Sequence, residues 1–200
     1  MFLGLAEIIT ISFLFFVIFM PSYKKTTILL GSILIIFWLT QYKLSIHIIR
    51  SEIITLLIGF LSGILWTNLI VLKKTGLKNT LKFVRRNPKI TINLLFTGLW
   101  EELMWRGAIL DILTLSFVVM AREVNSISVI LTTILPIIIT TSIFYFAHKF
   151  SSPSKGQARE FLLFFYSMAL LVSLGMPIFL VIGMHSGRNI AIETIRFQYH

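Results

Sequence analysis

Six polar residues in a mostly apolar chain have the types and spacings from which hydrolytic chemistry can be built: Glu101, Glu102, Arg106, His148, His185 and Asn189. The first three fall within Leu99-Trp100-Glu101-Glu102-Leu103-Met104-Trp105-Arg106-Gly107. Ile90 to Gly98 precedes that stretch without a charge, and Ala108 to Met120 follows it with Asp111 as the only one. An ionised side chain at the centre of a bilayer costs roughly 2.5–3.5 kcal/mol on insertion scales, so three together call for a reason. Glu102 and Arg106 stand at i,i+4 and can neutralise each other on one helix face. Glu101 is about 100° further round and needs another task.

His185 and Asn189 are also i,i+4 and share a face, while His148 closes the run Phe144-Tyr145-Phe146-Ala147-His148. A carboxylate beside imidazoles in a dry cavity can activate water: the acid takes the proton, and one histidine shares it or holds the water. A second histidine and an amide can donate hydrogen bonds to a developing oxyanion. Glu101, His148 and His185 could instead hold a catalytic zinc, with water as the fourth ligand. The chain has no His-Glu-x-x-His, and the three candidates come from separate helices. Asn189 suits a donor pair with His185 better than a ligand pair, because neutral amides bind zinc poorly. Metal-free hydrolysis with no required cofactor is therefore the preferred expectation, with zinc as the alternative.

The elements that must position these groups are membrane helices. The chain has 200 residues, of which 56% are hydrophobic, and a mean hydropathy of +0.91; soluble domains are usually about 45–50% apolar. The excess lies in long runs, which predict spans at about 1–20, 26–41, 52–72, 90–121, 126–147 and 161–174, with a last helix from Pro177 past Asn189. The fold class expected is an all-α polytopic membrane helix bundle of about seven transmembrane helices, with no soluble domain. Within this one integral-membrane domain, residues 1–89 supply N-terminal helices and a basic interfacial segment, and residues 90–200 supply the catalytic helices. Residues 1–20 lack a basic n-region and a small-residue cleavage site, so they read as a retained span. Glu7 is the oddity there, and an interfacial position would account for it. The apolar run of span four is too long for one perpendicular crossing and must tilt, bend near Gly107 or emerge before Arg122.

The net charge of +10 does not point to nucleic acid, because most Lys and Arg sit in short joints between apolar runs. Residues 73–89 hold seven of the 18 basic residues and no acid. Leu77, Leu81 and Val84 repeat there at helical spacing, with Lys78, Lys82, Arg85 and Arg86 on the other face. This predicts an amphipathic helix on an anionic cytoplasmic leaflet, stopped by Pro88. The odd-numbered joints carry twelve Lys and Arg against three in the even ones, which predicts an outside N-terminus and cytoplasmic odd joints. Cysteine is absent, so disulfides and Cys-ligated metals are excluded.

Together, Glu101-Glu102-Leu-Met-Trp-Arg106-Gly107, Phe144-x-x-x-His148 and His185-x-x-x-Asn189 resemble, in order, the three motifs of the CPBP (Abi) family of CAAX-protease and bacteriocin-processing intramembrane endopeptidases. The resemblance covers roughly Asn93 to the C-terminus, and Trp105 stands where Phe or Tyr is usual. It implies peptide-bond hydrolysis at the membrane of a membrane-embedded or lipidated peptide or protein. Glu101 and His148 would activate water, His185 and Asn189 would stabilise the oxyanion, and Glu102 and Arg106 would orient the site. Members have been described both as metalloproteases and as glutamate-dependent enzymes. The implied location is a cell membrane, on composition a bacterial plasma membrane. Two other classes stand beside this one: a bacteriocin self-immunity or scaffold protein without proteolysis, and an ion-coupled transporter, which the lack of an inverted repeat disfavours.

Overall fold

The computed structural model describes residues 2–19, 24–41, 48–70, 76–123, 130–149 and 155–199. Apart from Asn87 and residues 174–177, the described residues are helical, and they contain no strand, so the fold is all-α as composition predicts. The helices are α1 (Phe2–Phe19), α2 (Lys24–Gln41), α3 (Ile48–Ile70), α4 (Gly76–Arg86), α5 (Pro88–Glu102), α6 (Leu110–Glu123), α7 (Leu135–Lys149), α8 (Lys155–Ser173) and α9 (Ile178–Tyr199). Two are long and apolar enough to cross a membrane, Glu52–Ile70 and the continuous run Pro88–Arg122 of 35 residues. Pro21, Lys43, Lys73, Lys74, Asn125 and Pro153 lie outside the described residues.

The chain folds as two compact units. One comprises residues 1–44 and 104–174, the other residues 45–103 and 175–200. In the second, α3 and α9 pack along their length through four glycines at GxxxG spacing, Gly59 and Gly63 facing Gly183 and Gly187. A Cβ on Gly59 would stand 2.1 Å from the Leu180 carbonyl oxygen, and one on Gly63 2.0 Å from that of Met184. Reciprocally, Gly183 would meet Leu56 O at 2.2 Å and Gly187 would meet Phe60 O at 2.1 Å. Small residues let membrane helices approach backbone to backbone, where van der Waals contact substitutes for the absent hydrophobic drive. The outer face of α3 keeps Ile54, Leu57, Leu61 and Leu65 exposed, which is inside-out for a soluble helix. Composition showed that these spans were apolar, but the glycine spacing was not read as a contact face.

In the first unit, Leu110, Ile137 and Ala169 form a buried cluster with Tyr166 and Val172 against it. Polar groups are met one at a time. Ser116 Oγ donates to Glu7 Oε1 at 2.5 Å, so the Glu7 carboxylate is held by α6. Trp38 Nε1 donates to Asp111 Oδ2 at 3.2 Å. Three expectations shift in detail. Span four is one continuous helix, and its irregularity is the wide π segment Leu103–Ile109, which contains Gly107. Span six starts at Lys155 because the polar residues before Phe161 are already helical. Finally, α4 buries Thr80 and Phe83 and leaves Leu77 and Leu81 about half exposed, at 46% and 55%. The apolar stripe of α4 is thus turned away from its own protein. The break between α8 and α9 falls at Gly175, whose φ of 84° a side chain would oppose.

Gly63→Ala should destabilise the chain despite the better helix propensity of Ala. The new methyl meets backbone and not a movable side chain, and overpacking of this kind costs about 1–3 kcal/mol. Gly4→Ala, with nothing within 4 Å, should be neutral or stabilising. Melting temperatures in detergent check the pair, and an unchanged Gly63→Ala would contradict the glycine contact.

Candidate active site

In the second unit, α5 brings its acids to α9 through a further close approach. Gly98 lies one turn before Glu102 on the same face, and a Cβ there would stand 2.5 Å from Ser186 Oγ. Ser186 neighbours His185, so the contact sets the two acids opposite the imidazole. His185 Nδ1 donates to Glu102 Oε1 at 2.6 Å, and both side chains are almost wholly buried, 3% and 0% exposed. The carboxylate can only accept, which places a proton on Nδ1 and fixes the ring orientation.

The same ring turns Nε2 toward Glu101 Oε2 at 3.4 Å, with 16% of the Glu101 side chain exposed. Direct charge-assisted N–H···O contacts run about 2.7–2.9 Å, so Nε2 is engaged less tightly than Nδ1 and keeps the capacity to interact with a reacting group. One turn on, Asn189 is half-buried, and Arg188 Nη1 donates to its Oδ1 at 3.5 Å. That contact uses the amide oxygen and not the NH2 group. Arg188 is itself buried, and the sequence reading passed over it because it adjoins Asn189 in no motif. Of the six expected residues, this unit brings together Glu101, Glu102 and His185, with Asn189 on the His185 face.

The other two belong to the first unit. Arg106 is 3% exposed in the π segment, its guanidinium carbon 4.5 Å from the Phe144 ring centroid and 4.8 Å from that of Phe165. His148 Nδ1 lies 2.8 Å from the Phe144 carbonyl oxygen. A carbonyl only accepts, so the neutral ring carries its proton on Nδ1 and its lone pair on Nε2, the form that accepts a proton. The aromatic at the start of Phe144-x-x-x-His148 thus contacts both the motif histidine and Arg106.

Glu101 and His185 have the donor chemistry for zinc, and a histidine buttressed by a carboxylate is the usual form of a ligating one. Among the described residues, however, no group of three or more His, Cys, Asp or Glu side chains is arranged to hold a metal ion.

The two acids should differ in what their loss does to the fold. Glu102→Ala leaves the buried His185 Nδ1–H without its acceptor and should cost about 3–5 kcal/mol. Glu101→Ala removes a longer contact to a partly exposed side chain and should cost about 1 kcal/mol. Thermal unfolding of both variants in detergent is the check, and equal losses would contradict this division.

A family model described as "Type II CAAX prenyl endopeptidase Rce1-like" matches residues 86–191. No curated protein and no solved structure matches the chain. The matched region holds all six residues above and just over half of the chain, and by that measure the protein belongs to the Rce1-like family of type II CAAX prenyl endopeptidases.

Proposed function

We propose that the chain hydrolyses a peptide bond of a membrane-associated, lipidated protein or peptide, using a water molecule activated by Glu101. The observation that carries this reading is the Glu101–His185–Glu102 cluster: one buried imidazole set between a sequestered carboxylate and a more exposed one. A carboxylate that can reach water is placed to be the base, and a carboxylate without exposure is placed to orient. Glu101 takes a proton as the water oxygen attacks the peptide carbonyl carbon. His148 is the second group we assign to the water, on its motif and its Nε2 lone pair. A doubly protonated His185 would donate from Nδ1 to Glu102 and from Nε2 to the carbonyl oxygen as it gains charge, and the Asn189 amide would be the second donor. The proton then passes to the leaving amine, giving a carboxylate and an amine. No cofactor enters this scheme.

Glu101→Gln keeps the shape and removes the base, and it should lower turnover by about 10²–10⁴-fold while expression and insertion stay normal. A Gln variant that kept most of its turnover would overturn the assignment, and a wild-type chain that bound such substrates without cleaving them would favour the immunity or scaffold reading. In the same assay a strong chelator should leave turnover intact. Loss of activity on chelation, return with zinc and stoichiometric zinc in the protein would replace the metal-free scheme and make His185 a ligand.

The chain is further proposed to be a multi-pass protein of a bacterial plasma membrane with about seven spans, its N-terminus outside and α4 on the anionic cytoplasmic leaflet. Leu77 and Leu81, exposed on α4, support it as the face that would enter lipid, with Lys78, Lys82 and Arg85 available to the headgroups. In intact cells, a cysteine replacing Lys78 should be shielded from an impermeant thiol reagent. One replacing Met176, in the α8–α9 turn, should react. The reverse pattern would invert the topology.

A further inference from the structure

We propose that Phe165, together with Phe161 one turn before it on α8, is a positioning residue for Arg106 and His148. The inference rests on the endopeptidase reading above and assigns a task to α8, a helix outside the three motifs. Phe165 is 1% exposed and lies 4.8 Å from the Arg106 guanidinium carbon. Its ring meets that of Phe144 at 4.6 Å and 60°, so the guanidinium sits in a corner made by two rings. Phe161 continues the wall. It lies 4.3 Å from Phe165, stacks on Phe144 at 5.6 Å and 18°, and reaches the His148 ring at 5.6 Å. Phe144, 4.2 Å from the His148 ring, thus joins the cation to the imidazole, and the two α8 rings pack against Phe144.

The chemistry suits a cation in a dry span. The face of an aromatic ring is electron-rich and attracts a guanidinium, most strongly when water is excluded. The attraction acts on the carbon and the flat faces, so the N–H donors, which lie in the guanidinium plane, keep their directions for hydrogen bonding. A ring corner therefore fixes where Arg106 sits without consuming its donors. Because Phe144 also touches His148, the same corner fixes the imidazole. A plain packing role would need only an apolar group of similar volume, whereas this role needs π-electron density.

That difference is the test. Phenylalanines carrying one, two and three ring fluorines, placed at position 165 of the full-length chain in lipid nanodiscs, keep the shape and drain the ring face stepwise. With a lipidated peptide that the wild-type chain cleaves, kcat should fall stepwise, by about tenfold over the series, at constant KM and unchanged melting temperature. Phe165→Leu should lower kcat similarly. A flat kcat across the fluorine series would overturn the proposal, leaving Phe165 as packing. Glu101→Gln and His148→Ala run alongside separate the two readings. If they abolish turnover while the series is flat, only this inference fails. If they leave turnover intact, the roles given to Glu101 and His148 fail, and with them the task given to Phe165.

Discussion

A carboxylate with no exposure among apolar helices must be answered by a donor, and Glu102 is answered by His185 at 2.6 Å. The packing of the second unit follows from that bond. For a side chain on α5 to reach one on α9, the two backbones must come close, and Gly98 against Ser186 permits it. For α9 to hold its rotation, it must be fixed from another side, and the glycines shared with α3 do so over two turns. Leaving a buried charge without its partner costs several kcal/mol, so the bond and the close approaches sustain each other.

The bond also sorts the two acids. Adjacent carboxylates on a helix point about 100° apart, so one imidazole can be gripped by one and only approached by the other. Glu102 takes the short contact and loses all exposure, while Glu101 stands at 3.4 Å with some exposure. Two residues identical in chemistry are thereby given different tasks by position alone. In the first unit the corresponding problem, a cation in an apolar span, is met at least in part by ring faces.

Much of this was legible in the chain. Long apolar runs fixed the helices, because a period-free hydrophobic stretch near the length of a span has few other folds. The charges inside those runs marked the site, because their cost makes them informative. The pairings within the site were less legible. Nothing in sequence offers His185, 83 residues away, as a hydrogen-bond donor to Glu102. Phe165 was invisible among 18 phenylalanines, since a cage residue and a lipid-facing one look alike until the helices pack. The glycines of α3 and α9 carried a signal in their GxxxG spacing. Leu77 and Leu81 on α4 were correctly read as an apolar stripe, but the stripe by itself does not say whether it faces protein or lipid.

One helix carries contacts in both units, and its π segment begins where the first set ends. Up to Glu102, the face that matters is that of Gly98 and Glu102, directed at α9. Beyond Ile109, it is that of Leu110, in the cluster with Ile137 and Ala169, and of Asp111, bonded to Trp38. A stretch of i→i+5 turns keeps the helix hydrogen-bonded along its own axis, which a kink or a loop in an apolar medium would not. The seven residues of the segment include Arg106 and end two residues before Asp111. Gly107 lies within it because a methyl there would press to 3.3 Å on the Trp38 indole. Within the first unit, the wide turns carry the arginine that meets the rings of Phe144 and Phe165.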